Sequence, residues 1–270
     1  HIHHKAGDKM YVDYAGSKLK IVDPDTGELL EKEAFVAILG ASQLTYVEVV
    51  DSQQKADFIM ACEKALHYFQ GVPGAIVPDN LKAAVPKSNR YEPTINETFA
   101  DFALHYDTDI LPARAYRPKD KALVEGAVKI IYTRIYAALR KNTYHTLESL
   151  NEDVWKQLEL HNDAPLKGRE YSRRSQFNDI EKEALKPLPK LRYELKQQLM
   201  VTVPKNNYVC LTPDKHYYSV PYQFIGKRVK IIFSKSQVDI YYDYNLSATH
   251  KRTKSPYNHT TITDHLASAH

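Results

Sequence analysis

The order of hydrophobic periods constrains this chain most. Alternating apolar stretches come in succession, Lys9 to Val22, Glu33 to Gly40 and Thr45 to Val50, and only then does a helical period begin. Asp23-Pro24-Asp25-Thr26-Gly27 is a strong hairpin signal, so these strands predict an antiparallel meander. An amphipathic helix from Lys55 to Gln70, a short buried strand from Gly74 to Val77, a helix from Pro93 to Tyr106 and a strand from Asp109 to Ala115 follow. Strands first, then helix and strand in alternation, predict an α/β mixed sheet with flanking helices.

Three acidic residues fall at telling places on that plan. Asp13 lies in the first apolar strand, Asp79 just past the end of the strand that closes Ile76-Val77-Pro78, and Glu125 opens a helix running to about Arg140. Functional groups of α/β sheets gather outside the carboxyl ends of strands, which makes Asp13 and Asp79 plausible neighbours. Carboxylates arranged in this way can hold two divalent metal ions for phosphoryl transfer. Taken singly, an Asp at a strand end is usually a turn or cap. Glu125 and Lys129, four residues apart, would by themselves form an ordinary helix pair worth a few tenths of a kcal/mol. Tyr132 and Tyr136 share their helix face, which is expected to meet both metal and DNA.

The words around these acids narrow the reading. Val12-Asp13-Tyr14-Ala15-Gly16, Val77-Pro78-Asp79-Asn80-Leu81-Lys82, the basic run Arg114 to Lys121, and Val124-Glu125-Gly126-Ala127-Val128 occur in that order, followed by Ser172-Arg173-Arg174-Ser175 and Lys186-Pro187-Leu188-Pro189. The sequence resembles IstA-type insertion-sequence transposases, which carry a DDE integrase core of RNase H-like fold, and the likeness covers nearly the whole chain. That resemblance implies that Asp13, Asp79 and Glu125 are catalytic and hold two Mg²⁺ or Mn²⁺ ions. It implies cleavage at the 3′ end of a mobile element and strand transfer into target DNA. It further implies double-stranded DNA as substrate, an AAA+ ATPase helper as a separate partner, a homo-oligomer on DNA, a helix-turn-helix segment upstream, and a bacterial, cytoplasmic, nucleoid-associated setting. Asn80, Lys82, Arg117, Lys119, Lys121, Lys129, Arg173, Arg174, Lys227 and Arg228 are the expected DNA contacts. Two other readings stand beside it, a nuclease of the same superfamily that cuts without joining and a noncatalytic DNA-binding or assembly module.

Charge divides the chain unevenly. Residues 1–166 carry 19 Lys or Arg against 24 Asp or Glu, and residues 167–270 carry 18 against 9. A basic half suits DNA, which binds cations by counterion release. The expected organisation is a catalytic core over 1–166, a basic proline-containing linker over 167–198 and a small β-barrel over 199–270 that contacts DNA or protein. Five short strands are expected in the barrel, with Lys215, His216, Tyr217, Tyr218, Lys227, Arg228 and Lys230 on its binding surface.

Several classes drop out. No apolar run approaches the roughly 20 residues that span a bilayer. No Gly-x-x-x-x-Gly-Lys-Ser/Thr loop and no Gly-x-Ser-x-Gly elbow occurs, so neither nucleotide hydrolysis nor a serine nucleophile is expected. Cys62 and Cys210 lack neighbouring Cys or His at finger spacing and read as free thiols of a reducing compartment.

Overall fold

A computed structural model describes residues 4–79, 97–111 and 118–266, with the backbone alone for 118–122. The chain divides into two compact units, His1–Tyr193 and Glu194–His270.

The first unit is built on the expected meander. Strands β1 (Lys9–Tyr14), β2 (Leu19–Val22), β3 (Leu29–Leu39) and β4 (Thr45–Val50) pair antiparallel, with the long β3 bonded to all three others. The stretch from Lys9 to Val22 is two strands rather than one, interrupted at Ala15 to Lys18. The Asp23 to Gly27 turn forms as its residues dictate. Asp23 Oδ1 accepts the Asp25 and Thr26 amides at 2.9 and 3.0 Å, and Gly27 takes a φ of +72° that a side chain would resist.

Helix α1 (Lys55–Tyr68) then leads to β5 (Ala75–Pro78), and α2 (Glu97–Tyr106) to β6 (Asp109–Ile110). β5 lies parallel to β1, and β6 parallel to β5, giving the order β4-β3-β1-β5-β6 with β2 on the extension of β3. The core on one face is aromatic. Tyr14, Phe35, Phe58 and Phe99 follow one another edge to face, with ring centroids 5.1 to 6.0 Å apart.

Helix α3 (Pro118–Ile131) passes into a π-helical turn at Tyr132–Tyr136 and closes as α4 (Ala137–Leu139). It starts seven residues before Glu125, because proline's fixed φ suits a first helical turn as well as it suits a loop. Helix α5 (Leu147–Asp163) covers the outer edge of β4. The Asn151 and Asn162 side-chain amides each bond both the N–H and the C=O of one edge residue, Val49 and Thr45, and Trp155 donates to the Val47 carbonyl at 2.9 Å. Three side chains of one helix thus satisfy an edge that would otherwise be open to pairing.

The segment expected to be an extended linker instead docks on the first unit as far as Tyr193. Helix α6 (Arg173–Gln176) starts it, with a Ser172/Ser175 capping box. Glu181 is fully buried, where its carboxylate accepts the Gly7 and Ser42 amides. Lys186 pairs backbone with Val72, and Arg192 forms a two-pronged ion pair with the buried Glu63 at 2.7 and 2.8 Å. Polar composition and prolines suggested a spacer, but the polar groups are anchored on buried partners.

The second unit holds two sheets over one apolar core. β7 (Gln197–Thr202), β10 (Arg228–Phe233), β11 (Gln237–Tyr242) and β12 (Asn245–Lys251) form one, and β8 (Tyr208–Leu211), β9 (His216–Ser219) and β13 (His259–Thr260) the other. Val209, Leu211, Tyr218, Val229, Ile231 and Val238 fill the space between. β12 and β13 lie beyond the five expected strands, and no pairing among the described residues joins the two sheets into a closed barrel.

Candidate active site

The parallel ladder between β1 and β5 pairs Tyr11 with Val77 and Val12 with Pro78, so the next pair in register is Asp13 beside Asp79. The Asp79 amide extends that ladder by bonding the Val12 carbonyl at 3.2 Å. Both acids are half-buried, and Asp13 Oδ1 accepts the Tyr14 amide at 2.8 Å. Two carboxylates therefore sit at the carboxyl ends of adjacent central strands.

The face on which Asp13 emerges follows from strand alternation. Tyr14 packs on the Phe35 and Phe58 side, so Asp13 projects on the other, together with Tyr11 and its ladder partner Ile38. Ile38 shares a cavity with Leu123 and Ala127, which places α3 on the Asp13 face. α3 is held there by hydroxyls. The Tyr132 oxygen accepts the Ser17 amide at 2.6 Å, and the Tyr136 hydroxyl donates to the Ser17 carbonyl at 3.0 Å. These tyrosines, expected to face DNA, clasp the loop that follows the Asp13 strand, and burial pushes the Tyr136 phenol well above its usual range. The pattern that could have revealed this role is their spacing of seven and eleven residues from Glu125 on one helix face.

Glu125 is exposed on α3, and among the described residues it makes no ion pair with Lys129, itself exposed. The ordinary helix pair is thus not formed. Carboxylate oxygens are hard donors that suit Mg²⁺ or Mn²⁺, and two of them side by side fit such an ion. Among the described residues, no group of three or more His, Cys, Asp or Glu gathers closely enough to hold a metal.

The expected DNA contacts divide. Asn80, Lys82 and Arg117 lie outside the described residues, as do the side chains of Lys119 and Lys121. Lys129, Lys227 and Arg228 are exposed. Arg173 and Arg174 sit in more enclosed surroundings. Arg173 is 7% exposed, and Arg174 is ion-paired with Glu159, 3.5 Å from Asp163 and stacked 5.4 Å over the Tyr68 ring. Arg173 is thus buried, and Arg174 is half-buried and locally paired. In the second unit His216 and Tyr218 are buried as well, His216 bonding the Ser255 carbonyl and the Thr260 hydroxyl.

A mixed sheet in this order with flanking helices is of the RNase H-like fold class. The fold matches a chain of the cryo-EM structure of the simian T-cell lymphotropic virus intasome in complex with PP2A regulatory subunit B56 gamma, with a TM-score of 0.51, 14% identity, and coverage of 90% of this chain and 76% of that one. Residues 188–264 match the family described as Mu transposase, C-terminal domain. Over 99% of its length the chain is 41% identical to a Sinorhizobium fredii protein named as transposase y4bL/y4kJ/y4tB, and 36% identical to one named as the transposase for insertion sequence IS408 of Burkholderia multivorans. Over nearly its whole length the chain is thus similar in sequence to insertion-sequence transposases. It spans about half the length of these relatives, 51% of each.

Proposed function

We propose that this chain carries the DNA-cutting and DNA-joining centre of an insertion-sequence transposase, with Asp13, Asp79 and Glu125 as its catalytic carboxylates. The observation that carries the reading is the in-register placement of Asp13 and Asp79 at the ends of β1 and β5, beneath a helix that bears Glu125. Asp13 and Asp79 form the fixed half of the site, and Glu125 completes it when α3 settles against DNA. Two Mg²⁺ or Mn²⁺ ions held by these residues would supply charge stabilisation to the attacking and leaving oxygens of the phosphoryl group.

Lys129, exposed one turn beyond Glu125, holds a DNA phosphate beside it in this reading. Asn80, Lys82, Arg117, Lys119 and Lys121 flank the same acids in sequence and serve the same purpose. The second unit, with ten Lys or Arg against five Asp or Glu, works as a barrel-like module whose exposed Lys227 and Arg228 track the DNA backbone. An ATPase helper and a homo-oligomer bridging two DNA ends belong to this proposal, as does action in the bacterial cytoplasm. No described helix is long and apolar enough to cross a membrane.

The test is joining of a pre-cleaved 3′ end to a target duplex by Asp13→Asn, Asp79→Asn and Glu125→Gln variants. Each should lose joining by more than about a hundredfold, the scale of several kcal/mol of charge stabilisation, while DNA affinity and the thermal midpoint hold. A variant that still joins removes its residue from the centre.

A further inference from the structure

Beneath α3 lies a cavity of about 150 Å³, lined among others by Thr45, Leu123, Ala127, His161 and Arg173. Its polar walls are unusual. Arg173 is almost wholly buried, yet among the described residues its guanidinium has neither a hydrogen bond nor an ion pair. Its chain neighbour Arg174 shows the contrast, paired with Glu159 and close to Asp163. The cation that Arg173 feels most is a second arginine, Arg134, exposed on the π turn and also without an ion pair.

His161 is 4% exposed, and its Nδ1 is buried with no hydrogen-bond partner. Burial, reinforced by Arg173 and Arg134, holds its imidazole down at about 3, so the ring is neutral and adds no charge. The cavity therefore concentrates positive potential and unused hydrogen-bonding capacity where a protein interior ordinarily supplies a carboxylate.

We propose that this cavity binds a small tetrahedral oxyanion of phosphate size, gripped by the Arg173 fork, with a ring nitrogen of His161 completing the contacts and the Arg134 charge nearby adding to the attraction. Arginine's planar set of donors matches oxyanions in two-pronged fashion. The volume is ample for a phosphate together with bound water. The same chemistry is offered by free inorganic phosphate and by a phosphate of the DNA backbone. Because Leu123 and Ala127 roof the cavity, occupancy sets where α3 rests, and so where Glu125 rests. That last consequence depends on the catalytic reading of Glu125; the binding site does not.

The experiment is a titration of inorganic phosphate into the full chain at constant ionic strength and pH 7, read by the phosphorus-31 line width. Line broadening is expected in the parent, with affinity at least tenfold weaker in Arg173→Gln and weaker in Arg134→Gln, whose exposed side chain can be exchanged without disturbing the core. A control substitution, Lys235→Gln, should leave it unchanged. Absent broadening in the parent, or broadening untouched by Arg173→Gln, overturns the site. Should Arg173→Gln fail to fold, unchanged affinity in Arg134→Gln overturns it instead. Added duplex DNA that releases the phosphate line assigns the ligand to DNA, and retention assigns it to the free ion.

Discussion

His161 ties a single ring to the stability of the first unit. Its imidazole resists protonation in the folded chain, held down by burial first and then by Arg173 and Arg134. In the unfolded chain it titrates near 6.5. Between about 6.5 and 3 the unfolded state thus binds the extra proton, and stability falls as pH falls through that window. A His161→Leu variant should lose less stability than the parent between pH 6.5 and 4.5, by roughly 1–2 kcal/mol, in urea unfolding curves. Equal slopes for the two would show that the ring is protonated in the fold. At this scale the placement of Asp13 and Asp79 at neighbouring strand ends was legible in the sequence, since an acid just at or past an apolar strand marks a sheet's carboxyl edge. Arg173 and Arg174 were not. A basic pair gives no sign in sequence that the fold lines a cavity with one arginine and pairs the other with Glu159.

Elements here are defined by what covers them. β4 is an edge strand, and α5 closes it with paired amide bonds rather than apolar contact alone. Asn162→Ala would strip the Thr45 N–H and C=O of their buried partners, which were held at 3.2 and 2.8 Å. A loss of about 1–3 kcal/mol is expected in thermal or urea unfolding, with faster hydrogen exchange at Thr45. An exchange rate unchanged at Thr45 would mean that the edge is protected in another way. Helical periodicity placed α5 and its apolar residues, yet gave no hint of these amides, because a polar residue next to an apolar stripe reads as solvated. The start of α3 escaped for a related reason. Pro118 marks a loop or a first turn equally well until the following residues are seen packed.

At the scale of the whole chain, the boundary between units falls at Tyr193–Glu194 and not at the basic run that follows α5. The alternation of strand and helix made the mixed sheet legible from sequence, and the change to short strands past Gln198 made the second unit legible. Docking of 167–193 depends on long-range fit that no local pattern encodes. Gly71 is one point of that fit, where a Cβ would stand 2.6 Å from the Leu185 Cβ. Gly71→Ala should therefore loosen the segment, lowering stability by about 1–3 kcal/mol and opening residues near Leu185 to limited proteolysis. An uncleaved segment would show that Leu185 yields at little cost. The central claim is that Asp13 and Asp79, with Glu125 above them, hold a divalent metal for work on DNA. It is tested most directly by anomalous scattering from crystals grown in saturating Mn²⁺. Manganese ligated by both Asp13 and Asp79 at about 2.1–2.2 Å is the predicted result. Manganese bound elsewhere, with that pair left bare, would contradict it.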